Sequence, residues 1–198
     1  MKRIFAVAVI CAMPISASLA DGHGGNDEAK KYAAESKAVV MEFFKQVKGE
    51  MQSTMKASGP IDTIEVCSKT APSIAKAFSE KHGMTVARTT LKPRNPVNAP
   101  DAWEEKVLKK FEERLAAGEK PEDMAFFEIV EADGKKNFRF MKAIGMPPLD
   151  KAPCLKCHGE SIDPTISTKL DELYPEDKAR GYKAGQIRGA FTITKSLD

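Results

Sequence analysis

Histidine and cysteine are scarce in this chain, with three and four respectively in 198 residues, and there is a single tryptophan. Long apolar runs are missing after residue 20, so no later segment reaches the ~20 residues that a transmembrane helix needs. A dominant charge sign is missing too. Lys and Arg number 31 against 28 Asp and Glu, which excludes nucleic acid or an anionic membrane surface as the main partner. No nucleophile–base pair and no second metal-ligand cluster stand out. The expectation is therefore a non-enzyme with no bound organic substrate. One further absence matters later: the forty residues after His158 contain no Met, His or Cys.

What is present begins with an export signal. Lys2 and Arg3 precede a mostly apolar stretch from Ile4 to Ile15, and Ser18-Leu19-Ala20 places small residues at a signal-peptidase site. Residues 1–20 read as a signal peptide, and Cys11 leaves with it. Ile10 stands before Cys11 where a lipoprotein cysteine requires a small residue. Cleavage after Ala20 leaves 178 residues with a net charge of +1, enough for one domain with a proper core. The expected product is soluble, exported to the periplasm and not inserted in the membrane. Residues 21–26 are Gly-rich and read as a flexible N-terminus, and residues 27–198 as one domain.

Three cysteines remain: Cys67, Cys154 and Cys157. An odd number cannot form a closed disulfide set. Pro153-Cys154-Leu155-Lys156-Cys157-His158-Gly159 contains C-x-x-C-H. In a chain of this composition the pattern arises by chance on the order of once in a thousand sequences. Two thiols at this spacing can both add to the vinyl groups of one haem, and the adjacent His158 then serves as an axial iron ligand. A thioredoxin-like disulfide would follow a strand in a βαβ unit. Here the motif follows Gly145-Met146-Pro147-Pro148, which breaks regular structure. The expected cofactor is one covalent haem c on Cys154 and Cys157.

A second strong axial ligand must come from upstream, since nothing downstream supplies one. His23 lies in the Gly-rich start, and His82 reads as the solvated end of a helix before Gly83. The methionines suit core filling. Cys67 shares a helical face with Ile61, Ile64 and Ala71. From spacing alone it is equally an iron ligand or a small buried hydrophobe.

The pattern along the chain is α+β. Asp27 to Ala57 carries Tyr32, Val39, Val40, Phe43 and Val47 along one stripe, and Gly59-Pro60 ends that helix. A second helical region runs from Ile61 to Lys81, split by Pro72. Met84 to Leu91 alternates as a strand. Asp101 caps a helix that Gly118 closes. Ala125–Ala132 and Lys135–Ile144 flank Asp133-Gly134, a hairpin signal, and Ile187–Thr194 is a last strand. That order predicts helices on one side of a small antiparallel sheet.

Several segments together resemble a known family. They are Ile64-Glu65-Val66-Cys67 with Ala71-Pro72, Arg88 to Pro96 with Asn98, Pro100 to Glu104, the Pro153–Gly159 box, Gly181-Tyr182, and Arg188-Gly189-Ala190-Phe191. The chain is similar to single-haem c-type domains, exported or attached to sensors, that were first catalogued as a domain of unknown function. The resemblance implies a PAS-like antiparallel sheet with flanking helices, including a long N-terminal one. It implies a Cys thiolate opposite the His, which places Cys67 as distal ligand. It also implies redox or gas sensing, with a signalling or redox protein as partner and a diatomic gas as candidate ligand. Gln186 departs from the family pattern, where an acidic residue is expected.

Haem propionates pair well with arginine, which makes Arg88, Lys92 and Arg94 candidates to hold them. Two other readings stand beside the redox sensor or low-potential carrier. One is a gas-binding helical bundle with an open distal site; the other is a plain electron shuttle without a signalling role.

Overall fold

The computed structural model describes residues 23–132 and 134–198. Residues 1–20, read from the sequence as a signal peptide, and Asp133 of the hairpin lie outside the described residues, as do residues 21 and 22 of the stretch read as flexible. Residues 23–26 of that stretch form the first turn of helix α1.

Helix α1 (His23–Glu65) is two helices joined at a kink. Gly59 has φ 80° and ψ −170°, a backbone that glycine adopts without steric cost, and Pro60 starts the helix again. The expected stop at Gly59-Pro60 is thus a bend. The Thr63 hydroxyl donates to the Gly59 carbonyl at 2.8 Å, a side-chain tie across the kink.

A π-helical turn, Val66–Thr70, follows, and then α2 (Ala71–His82). Pro72 explains the widened turn. Its ring crowds the carbonyl four residues back and it has no N–H to offer. The Ala71 N–H reaches back five residues to the Val66 carbonyl instead. Cys67 sits in this turn.

Strands β1 (Thr85–Thr89), β2 (Ala125–Ala132), β3 (Lys135–Gly145) and β4 (Ile187–Ser196) form one antiparallel sheet in the order β1-β4-β3-β2. Ala132 pairs with Lys135, so the β2–β3 connection is the two-residue turn that Asp-Gly signals. Helix α3 (Ala102–Ala116) opens with a complete capping box. The Asp101 carboxylate accepts from the Glu104 N–H at 2.8 Å, and the Glu104 carboxylate accepts from the Asp101 N–H at 3.1 Å.

The sheet is covered on both faces. Val39, Val40 and Phe43 of α1, with Ile74 and Phe78 of α2, pack on Val86, Phe138, Phe140, Phe191 and Ile193. Val107, Leu108 and Phe111 of α3 pack on Met141, Ala143 and Ala190. The expectation of helices on one side needs correcting. Adjacent residues on a strand point to opposite faces, and both Ala190 and Phe191 are buried, so each face needs its own cover. The sheet also excludes the helical-bundle reading. The fold class is α+β with a long N-terminal helix, as expected. Among the described residues no helix is long and apolar enough to cross a membrane.

Candidate functional site: a thiol and imidazole cavity

Between β3 and β4 the chain makes a short helix α4 (Leu155–His158) and a longer one, α5 (Pro164–Leu173). In α4 the His158 N–H donates to the Cys154 carbonyl at 3.1 Å. This single turn gives the C-x-x-C-H spacing its meaning. Positions i, i+3 and i+4 share a helix face, and Cys154, Cys157 and His158 all line one cavity of about 280 Å³. No disulfide joins Cys154, Cys157 or Cys67.

The box is laced to the segment before β4. The Tyr182 N–H donates to the His158 carbonyl at 2.9 Å and the Gly181 N–H to the Gly159 carbonyl at 3.0 Å. The His158 ring is tied as well, its Nδ1 lying 2.8 Å from the Ala179 carbonyl oxygen. A carbonyl only accepts, so Nδ1 carries the proton and Nε2 keeps its lone pair. Burial, then the nearby Arg188 and Arg94, hold the imidazole well below its ordinary pKa, against the opposing hydrogen bond to Ala179. The ring is neutral near pH 7, the form that binds a metal. Burial pushes the thiols of Cys154 and Cys157 up.

Cys67 lines the same cavity from the π turn, beside Ile64 and Tyr174. Cys67 and Cys154 stand 87 positions apart in the sequence, and the fold brings them together. Ile64 packs on Ile166, Leu170 and Tyr174 around α5, with Cys157 at the edge of that cluster. Met51 and Met55 of α1 also face the cavity, as does Phe44. His82 does not; it ends α2 and stacks on Phe78. The His23 side chain lies outside what is described.

The three cationic candidates separate. Arg88 lines the cavity. Lys92 is exposed, with its ammonium 5.1 Å from the Tyr182 ring centroid, and is not part of the lining. Arg94 lines the cavity but is engaged: its Nε lies 3.1 Å from the Asp177 carboxylate, and its Nη2 donates to the Cys157 carbonyl at 2.5 Å and to the Ala179 carbonyl at 3.3 Å. Sequence reasoning assigned no role to Arg188, which also lines the cavity. Its Nη1 donates to the Thr90 hydroxyl at 3.0 Å and to the Lys92 carbonyl at 3.3 Å. Gly189 beside it has φ 152°, and a Cβ there would meet the Thr89 carbonyl and come within 2.9 Å of the Thr90 Cβ. A glycine next to an arginine on a strand is the signal that marked this close approach.

Among the described residues, neither Arg88 nor Arg188 has a carboxylate within ion-pair distance. Two unpaired guanidinium groups on a largely apolar cavity are costly unless an anionic ligand joins them. The donor set fits a haem: two thiols at attachment spacing, an oriented neutral imidazole, a third thiol, apolar walls and two free cations.

Fold and site together define an α+β domain that encloses a cysteine- and histidine-lined cofactor cavity. A family model described as Tll0287-like matches residues 26–196, and the chain belongs to that family. Among solved structures it is similar to the crystal structure of the cyanobacterial heme-protein Tll0287, at 24% identity and a TM-score of 0.59. The match covers 83% of this chain and 96% of that one, and at such identity it speaks for the fold. No curated protein matches the chain.

Proposed function

We propose that the chain is an exported, periplasmic c-type haem protein that acts as a low-potential redox sensor. One observation carries the reading: a helical turn presents Cys154, Cys157 and a neutral His158 to the same cavity that Cys67 reaches from a separate element. Membership of a family whose namesake is a heme-protein supports it. In this reading Cys154 and Cys157 would hold the haem covalently, and His158 and Cys67 would both ligate its iron. Arg88 and Arg188 take the propionates. A bound haem would supply one-electron exchange and, where a coordination position opens, a site for a diatomic gas.

The protein's own residues do the rest. The Ala179 carbonyl fixes the tautomer of His158. Apolar side chains on the cavity wall, such as Ile64 and Phe191, exclude water. An anionic sulfur from Cys67 would favour the ferric state and set the potential below that of a Met-ligated cytochrome. Sensing, rather than shuttling alone, is favoured by where Cys67 sits. It lies on a π turn between a glycine kink and Pro72, the kind of irregular helix that recurs at functional sites.

Two measurements test this. Intact mass of protein exported from cells with working haem attachment should equal the chain from Asp21 plus one haem; a bare polypeptide mass refutes the reading. Hydrogen exchange in the oxidised and reduced states should then differ over residues 59–72. Equal protection in both states makes the protein a plain electron shuttle.

A further inference from the structure

Arg94 and Asp177 form a buried pair, with side chains 9% and 2% exposed, and the reason for burying it lies in what the two residues hold. The Ala179 carbonyl oxygen receives two N–H groups: His158 Nδ1 at 2.8 Å and Arg94 Nη2 at 3.3 Å. Asp177 grips both sides of that junction. Its Oδ1 lies 3.1 Å from Arg94 Nε and accepts from the Ala179 N–H at 2.9 Å, while its Oδ2 accepts from Arg180 Nε at 2.9 Å. Arg94 also donates to the Cys157 carbonyl. One guanidinium therefore spans the attachment turn and the carbonyl that orients the imidazole.

We infer that Arg94 is a positioning residue that tunes His158 as an iron ligand, and that Asp177 holds it in place. The inference rests on the haem reading above. A carbonyl that accepts from a cation has less electron density to share with a second donor. The hydrogen bond from His158 Nδ1–H to that carbonyl is weakened, the ring has less imidazolate character, and its Nε2 would donate less to iron. The cation also disfavours the ferric charge through a low-dielectric interior. Both effects raise the potential, against the lowering by Cys67. Lysine cannot replace Arg94 here: an ammonium is a point charge and lacks the planar fork that reaches Asp177 and two carbonyls at once.

The test uses haem-loaded protein and three variants: Arg94→Lys, Asp177→Asn and Arg180→Gln. The readouts are midpoint potential and the iron–histidine stretching frequency by resonance Raman. Arg94→Lys should raise the stretching frequency and shift the ferric-to-ferrous ratio about tenfold toward ferric at fixed potential, about 59 mV for a one-electron couple. Asp177→Asn should raise the stretching frequency in the same way, while the loss of a buried negative charge pushes the potential up; the frequency therefore carries the test if Arg94→Lys accumulates no folded protein. Arg180→Gln leaves the Ala179 junction alone and should leave the stretching frequency unchanged. If the variants load haem and the frequency does not move, Arg94 only packs the turn. If Arg180→Gln shifts both readouts as much as Arg94→Lys, the effect is not specific to the Ala179 junction and the inference falls. A wild-type protein without haem would refute the functional reading instead.

Discussion

Replacing Asp177 with alanine should destabilise the fold far more than any surface carboxylate would. The side chain is 2% exposed, forms an ion pair with Arg94 and accepts from Arg180 and the Ala179 N–H, all within 3.1 Å. Alanine leaves the Arg94 guanidinium buried without its counter-charge and the Ala179 N–H without an acceptor. Breaking a buried ion pair from one side costs about 3–5 kcal/mol. For a chain of this size, at roughly 2–4 °C per kcal/mol, the midpoint should fall by about 6–20 °C. Thermal unfolding followed by circular dichroism measures this, with Asp171→Ala as control. Asp171 also binds Arg180 but its side chain is 66% exposed, and its loss should cost under about 1 kcal/mol.

The pH dependence gives a second handle on the same group. Burial pushes the Asp177 carboxyl up, but the hydrogen bonds from Arg94, Arg180 and the Ala179 N–H outweigh it and hold the pKa below the ordinary value. A carboxylate depressed in the folded state contributes stability that is complete above its unfolded pKa, near 4, and that is lost as pH falls through the lower folded value. Wild type should therefore lose stability more steeply than Asp177→Ala as pH falls below about 4. A loss under about 1 kcal/mol at pH 7, or parallel acid limbs, would show that the carboxylate holds nothing together.

Other expected outcomes are as direct. Cys67→Ser should abolish the ferric thiolate signature in EPR and raise the potential by at least about 60 mV; an unchanged spectrum and potential would make Cys67 merely a buried side chain. His158→Ala should change the absorption spectrum of the loaded protein, and an unaltered spectrum would take the imidazole off the iron. Arg188→Gln should lower the potential and leave the fold intact, since the cation faces the cavity, and no change in titration would remove Arg188 as a propionate partner. Phe43→Ala deletes a ring that packs on Phe78 and Phe191 at 5.7 and 5.6 Å. It should cost about 3–5 kcal/mol by denaturant unfolding.

Features that depend only on neighbours along the chain are legible in the order of the residues. The Asp101 and Glu104 capping box, the turn between Ala132 and Lys135, and the Cys154, Cys157 and His158 spacing each need only a turn or two of backbone. Composition and spacing mark them because local geometry makes them. The fold class followed from the same local periods. Tertiary structure alone decided which side chains meet in the cavity. Arg94 reaches Cys157 across 63 residues and Ala179 across 85, and Arg188 meets Thr90 across 98. Nothing in local spacing says that Arg94 is tied to Asp177 while Arg188 stays unpaired, because both depend on how β1 and β4 pair and where the box docks. The placement of α3 on the second face of the sheet was hidden for the same reason. A strand's two faces are both visible in its sequence, but which helix covers each is set by long-range packing.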